Sequence, residues 1–278
     1  MKKISYKQII KEVSNLIIDI NYGISKNIEE YLKKAYYQER NGLSKKYLKI
    51  VLENIKISKK EKLPLCQDTG YPVVFVEIGS NVKIEKGPFP SLIDIINFGI
   101  EDGSKKGYLR NSVVEPIDRN FTGYNTPCVI HFFEGEENKL KITIMAKGFG
   151  SENTCKLKML NVSDGKEGIE NFIVDTIKQA GSLPCPPIFV GVGIGGTFEM
   201  SPLLAKISLL KIGEKTKYRN WELEIMKKIN KLKIGAGGFG GKTTVLDLKI
   251  ETHPTHIAGL PVSVCISCWA HRVGKFEL

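Results

Sequence analysis

No apolar run in these 278 residues is long enough to cross a bilayer, so a helical membrane span is excluded. The N-terminus, MKKISYKQIIKEV, begins basic but continues with helical apolar spacing. It has neither the apolar stretch nor the cleavage site of a signal peptide, so export is not expected and the cytoplasm is the default compartment. Histidine is scarce, at four residues. Only one C-x-x-C is present, Cys265-Ile266-Ser267-Cys268, and nothing completes it into a zinc ribbon or finger. The closely spaced cysteines of a ferredoxin and the aromatic signature of a ribonucleoprotein fold are also missing.

What remains is a chain that can bury a real core, as one large domain or two closely joined lobes. Its net charge is +11, from 41 basic and 30 acidic residues. Lysines dominate and are scattered over helical faces, for example Lys33, Lys34, Lys45, Lys46, Lys59 and Lys60. That distribution suits solvation or attraction of small anions better than a nucleic-acid footprint. Six cysteines (66, 128, 155, 185, 265 and 268) in a cytoplasmic chain are expected to be buried, metal-bound or catalytic rather than paired in disulfides.

Along the chain, apolar spacing predicts helices over 5–20, 28–40 and 44–57, a helical N-terminal layer carrying no candidate chemistry. The texture changes at Leu63-Pro64-Leu65-Cys66-Gln67-Asp68-Thr69-Gly70, just before a strand at Val73–Ile78; Gln67 and Asp68 suit a turn as well as a site. A helix over 91–106 ends near Gly107, and Arg110-Asn111-Ser112 follows. Thr126–Phe133 and Leu140–Met145 are expected to pair antiparallel around Glu134–Asn138, with Cys128 as a small core residue. Ala146–Asn153 passes from strand into glycines, and Thr154 opens a lysine-rich, helix-like segment. Free amides there, with Lys147 alongside, make an anion pocket or a simple tight turn.

Residues 168–180 read as helical, and Pro184-Cys185-Pro186-Pro187 then holds a cysteine between prolines before the strand Ile188–Val192. Prolines fix the backbone, which suits a ligand or merely a stiff loop. Gly191–Gly196 matches G-x-G-x-x-G, but the expected acidic strand end is absent and Pro202–Leu210 continues as an apolar helix. Gly235–Thr243 nearly spells a phosphate-binding loop, yet its first glycine is Ala236, and the segment before it is a charged helix (219–231) with only Lys233-Ile234 as a strand candidate. Either glycine loop could still approach an anion. Finally, the run from Gly259 to Trp269 reads as a buried strand delivering Cys265 and Cys268, with His253 and His256 ahead of it.

Four of these segments, in order, resemble the alpha subunit, or N-terminal domain, of the class I iron–sulfur hydro-lyases, the fumarate hydratases and L-tartrate dehydratases. They are Pro64–Gly70, Lys147–Asn153, Pro184–Pro187 with the Gly191–Gly196 run, and Gly240–Arg272. The likeness runs from about residue 5 to the end. It implies a mixed α/β fold over 1–278, with a helical layer, mixed sheets flanked by helices, and a [4Fe–4S] cluster on loops at strand ends. By position the cluster cysteines are Cys66, Cys185 and Cys268. Three thiolates leave one iron open as a Lewis acid rather than an electron carrier.

The same resemblance places substrate contacts at Gln67, Asp68, Arg110, Gly150, Asn153 and His256, the last chosen over His253 because it precedes Cys268 by twelve residues. Amide side chains hold oxygens, and arginine pairs bidentately with carboxylates. Phe149 stands where glycine is more common and tightens that loop. The Trp-Ala-x-Arg tail after Cys268 selects it over Cys265. The expected function is hydration of fumarate to (S)-malate, a small dicarboxylate, with L(+)-tartrate dehydration as the alternative and a non-catalytic iron–sulfur or zinc protein as a remoter one. The catalytic base is expected on a separate beta subunit, in an (αβ)2 assembly, so that this chain alone is inactive.

Overall fold

In the computed structural model, which describes Met1–Leu278 throughout, apolar residues three and four apart form helices and alternating ones form strands. The elements are β1 (Lys2–Ser5), α1 (Tyr6–Tyr22), α2 (Lys26–Gln38), α3 (Gly42–Glu61), β2 (Tyr71–Ile78), β3 (Val82–Glu85), α4 (Leu92–Lys106), β4 (Val129–Glu134) and β5 (Leu140–Lys147). They continue as α5 (Phe149–Glu152), β6 (Lys156–Leu160), α6 (Gly165–Ala180), β7 (Ile188–Gly195), α7 (Met200–Leu210), α8 (Arg219–Asn230), β8 (Val245–His253), β9 (Leu260–Ser267) and β10 (Val273–Glu277). The mixed α/β class is as expected from sequence. The chain divides into two compact units: Met1–Ser25, Asn54–Gly148 and Arg272–Leu278 in the first, Lys26–Glu53 and Phe149–His271 in the second. Of the N-terminal helices, α1 belongs to the first unit and α2 to the second.

In the first unit, Ser5 caps α1 and Gln8 returns the bond in a capping box, which fixes where the helix starts. The sheet order is β10-β5-β2-β4. Ile9, Val13 and Ile17 of α1 pack with Ile95, Ile96 and Ile100 of α4 over Val74, Val76, Ile142 and Ile144. Gly99 and Gly103 let the two helices close, because a Cβ at Gly103 would lie 2.5 Å from the Ser14 carbonyl. Full burial of each isoleucine contributes about 1.5–3 kcal/mol. The expected β4–β5 hairpin does not form. β2 lies between the two strands, parallel to β4 (Val73↔Val129) and antiparallel to β5 (Val73↔Met145). Val73–Val76 is continuously buried, as a central strand must be, and β4 is the more exposed edge.

In the second unit the order is β6-β9-β7-β8, with β7 parallel to β8 and antiparallel to β9. Ile173 and Ile177 of α6 and Ile225 and Ile229 of α8 cover one face through Val190, Val192, Val262 and Val264. The other face of β7 carries Gly191 and Gly193 beneath α7. A Cβ at Gly193 would stand 2.0 Å from the Ser201 carbonyl, and one at Gly191 2.2 Å from that of Ala205. The G-x-G-x-x-G run is therefore mostly strand interior, and its glycines serve helix-on-sheet contact rather than a nucleotide loop. One further expectation fails here. The segment after Thr154 is strand β6, because it pairs with β9 from Lys156↔Val264 to Leu160↔Leu260. Lys233–Ile234 forms no strand; the strand beside β7 is β8, farther along the chain.

Candidate functional site

In the first unit the Cys66–Gly70 loop is tied down from several sides. Asn54 Nδ2 donates to the Leu65 carbonyl at 2.9 Å, and Thr69 Oγ1 donates to the Arg110 carbonyl at 2.8 Å. The second bond brings the Gln67-Asp68 turn and the Arg110 segment together. Asp68 Oδ1 accepts from the Gly70 amide at 2.9 Å, so Asp68 does shape a turn. Gly70 has φ +83°, and a Cβ there would meet the Ala146 backbone at 2.6 Å, which requires glycine. Cys66 and Asp68 are partly exposed, Gln67 and Arg110 exposed.

Two buried cations belong to the same unit as this loop. Arg272, 2 % exposed, donates through Nη1 to the Asp68 carbonyl at 2.6 Å and to Asn21 Oδ1 at 3.0 Å. Its buried Nε has no hydrogen-bond partner. Lys147 is equally buried, with Nζ 3.2 Å from the Gly148 carbonyl. A Cβ at Gly148 would lie 3.3 Å from Asp68 Oδ2 and 3.4 Å from Arg272 Nη2, so glycine keeps this corner open. Buried positive charge with a donor to spare suits a negatively charged group at the loop.

In the second unit, Cys185 is exposed at φ +53°, a left-handed conformation that costs a non-glycine residue about 1–2 kcal/mol. Flanking prolines and two bonds, Cys185 amide to the Ser182 carbonyl (3.1 Å) and Gly237 amide to the Pro186 carbonyl (2.7 Å), hold it there. Cys268 follows the last residue of β9 and is partly exposed. The pairing Phe189↔Ser267 puts Cys185 and Cys268 at the same end of the sheet. Gly150 belongs to this end too, a Cβ there being 3.7 Å from the Leu183 carbonyl, and Asn153 follows on the same short turn, its amide bonded to the Phe149 carbonyl at 2.9 Å.

His256 does not join them. It sits exposed in the turn between β8 and β9, accepting at Nδ1 from the Ala258 amide (3.2 Å), while His253 Nδ1 lies 2.9 Å from the Pro254 carbonyl. The whole of β9, eight residues, separates that turn from Cys268. At about 3.4 Å per residue that is roughly 27 Å. The buried histidine of the chain is instead His271, between Ser267 Oγ (2.9 Å) and the Leu209 carbonyl (3.0 Å).

The cysteines fall into two groups. Cys66, Cys185 and Cys268 lie on loops with solvent access. Cys128 is partly buried beside Asn97 in the first unit, and burial pushes its thiol up to about 12. Cys265 is buried in β9, its Sγ 3.5 Å from that of Cys155, so the partner within C-x-x-C is not its structural neighbour. Each of these three loop cysteines, taken within its own unit, offers a thiolate, the donor type that iron–sulfur clusters take.

The Gly235–Thr243 loop already holds an anion of the protein's own. Glu39, 2 % exposed, accepts from the Arg40 and Asn41 amides (2.9 and 3.0 Å) and from the Lys242 amide (2.8 Å). Burial alone would raise its carboxyl, but these backbone donors outweigh that and hold it below the usual carboxylate range. Nothing in the sequence marks Glu39 for this part, because its partner loop lies some 200 residues away in the chain. Arg272 was more legible, as the arginine of the Trp-Ala-x-Arg tail.

The fumarate hydratase (fumerase) family matches residues 10–277. The chain belongs to that family. A Methanocaldococcus jannaschii relative, provisionally named L(+)-tartrate dehydratase subunit alpha, is 45% identical over 258 residues, covering 90% of each chain. L(+)-tartrate dehydratase subunit alpha of Escherichia coli K12 is 28% identical over 281 residues, 98% of this chain and 91% of its own. That of Escherichia coli UTI89 is 28% identical over 285 residues, 100% of this chain and 93% of its own. No helix is long and apolar enough to cross a membrane.

Proposed function

We propose that this chain is the cluster-bearing alpha subunit of a two-subunit, cytoplasmic hydro-lyase that reversibly hydrates fumarate to (S)-malate. Cys66, Cys185 and Cys268 would hold a [4Fe–4S] cluster. What carries the reading is the family match across residues 10–277 together with three accessible thiols on loops. When bound, the cluster supplies one iron with an open coordination position, a Lewis acid toward hydroxyl and carboxylate oxygens.

The chain's own residues would bind and orient the dicarboxylate. Arg110, exposed beside the Cys66 loop, pairs with a carboxylate in the bidentate manner of guanidinium groups. Gln67 and Asn153 donate amide hydrogens to substrate oxygens, and Asp68 presents a carboxylate whose Oδ1 the Gly70 amide keeps in place. Gly150 lets its backbone approach the ligand without a side chain intervening. His256 rests on the resemblance alone, because β9 separates it from Cys268 within its own unit. The proton at the neighbouring carbon goes to a base on the beta subunit, in an (αβ)2 assembly.

L(+)-tartrate is the second reading, favoured by the names of the relatives. The chain, coexpressed with its beta subunit and reconstituted anaerobically with iron and sulfide, should convert malate to fumarate, followed by the fumarate ultraviolet absorbance. Faster turnover of L(+)-tartrate to oxaloacetate would transfer the assignment to the second reading. Activity toward neither, with cluster loaded, would overturn both. Full turnover by the alpha chain alone would overturn the division of labour.

A further inference from the structure

Cys155 and Cys265 face one another where the β6–β9 ladder begins. The pair Lys156↔Val264 extends by one residue to set them opposite, and their sulfurs are 3.5 Å apart. Glu152, one turn earlier, brings Oε2 to 3.8 Å from the Cys155 sulfur and 3.9 Å from the Cys265 sulfur. Three donor atoms thus form a nearly equilateral triangle. The centre of a triangle with these edges is about 2.2 Å from each corner, matching Zn–O bonds of about 2.0–2.2 Å and Zn–S bonds of about 2.3 Å.

We propose that Glu152, Cys155 and Cys265 form a second metal site, separate from the three loop thiols, that takes a thiophilic divalent cation of the zinc class. A metal slightly out of the triangle's plane keeps these bond lengths and leaves a fourth, tetrahedral position for water. Three features of the surroundings suit a metal thiolate. The Ile266 amide donates to the Cys155 sulfur at 3.3 Å, the kind of bond that stabilises a coordinated thiolate. Lys206 is ion-paired with the other carboxylate oxygen, Oε1, and brings a positive charge to the site. The charges also close: two thiolates, one carboxylate, one ammonium and a divalent cation sum to zero, so the site can be buried without an uncompensated charge. Two sulfurs exclude magnesium and calcium as occupants. A bound ion would pin the turn carrying Asn153 to the end of β9.

The test is cobalt(II) titration of the full-length chain, reduced, anaerobic and free of cluster, with zinc competition. Thiolate-to-cobalt charge-transfer bands and tetrahedral d–d bands should appear at one equivalent, and zinc should abolish them. They should persist in Cys66→Ser, vanish in Cys155→Ser and in Cys265→Ser, and require at least about tenfold more cobalt in Glu152→Gln. Far-UV circular dichroism of each variant identifies any that does not fold, and the conservative Glu152→Gln carries the test in that case. Bands that survive both cysteine replacements, or that are lost in Cys66→Ser, would overturn the proposal. So would a folded chain without bands, or peptide mapping that finds a Cys155–Cys265 disulfide in anaerobically isolated protein.

Discussion

Arg272 Nη1 donates to the backbone carbonyl of Asp68 at 2.6 Å, tying the residue just before the last strand to the loop that carries Cys66. The same guanidinium reaches Asn21 at 3.0 Å, so three distant stretches of the first unit meet on one side chain. Only a forked, always charged group can do this while buried.

Arg272→Met is accordingly expected to lower the unfolding free energy by about 3 kcal/mol, the worth of one or two charge-assisted hydrogen bonds. Urea denaturation measures it. Arg272→Lys, which keeps the charge but not the fork, should recover only part, and an unchanged midpoint in Arg272→Met would contradict the role.

Glu39 supplies a pH dependence of definite sign. Its carboxyl is held below the usual range in the folded chain, so the unfolded chain binds its proton first as pH falls. The stability it contributes is therefore complete above about pH 5, since an unfolded glutamate titrates near 4.3, and is lost as pH drops through the lowered folded value. Glu39→Gln should be less stable than wild type at pH 7, and the gap should narrow toward pH 3. A gap that stays constant over that range would refute the contribution of the carboxylate.

Gly193→Ala should destabilise by about 1–3 kcal/mol or more, because the added methyl overpacks a helix seated on a strand. Its Cβ would stand 2.0 Å from the Ser201 carbonyl and 2.6 Å from the Ala205 amide nitrogen. At Gly42, where a Cβ would meet nothing within 4 Å, the same change should stay within about 0.5 kcal/mol. Thermal melts of the two variants make the comparison; equal shifts would show that the close approach is not limiting.

Under the proposed function, cluster loading is the measurement that separates the cysteines. Replacing Cys66, Cys185 or Cys268 singly by serine should abolish the visible iron–sulfur absorbance after anaerobic reconstitution, and Cys265→Ser should retain it. In the cluster-free chain near neutral pH, iodoacetamide should label the exposed Cys185 well before Cys128, whose thiol is pushed up to about 12. Loss of the absorbance in Cys265→Ser would make that residue a cluster ligand instead.

Helices and most strand positions were legible because each rests on a local period of apolar residues: Ile9, Val13 and Ile17 on one helical face, Val73–Val76 as a continuous buried run. Partner choice was not. Val129–Glu134 and Leu140–Lys147 look like a hairpin by proximity, yet each pairs with Tyr71–Ile78, because burial on both faces makes that strand the centre of the sheet. The segment after Thr154 fails for a similar reason: its lysines suit an exposed helix or an exposed strand face equally, and pairing with β9 decides.

By itself, the order of residues determined the fold class, the helix boundaries set by Ser5 and Gly107, and which cysteines stand beside turn-forming residues. Those are properties of neighbours in the chain, settled by propensity and spacing. Tertiary structure alone decided that Glu39 fills the glycine loop, that Arg272 underlies Asp68, and that Cys265 faces Cys155 rather than Cys268. Each joins groups separated by about 100 to 200 residues, and no local period can record a contact that exists only once the sheets have closed.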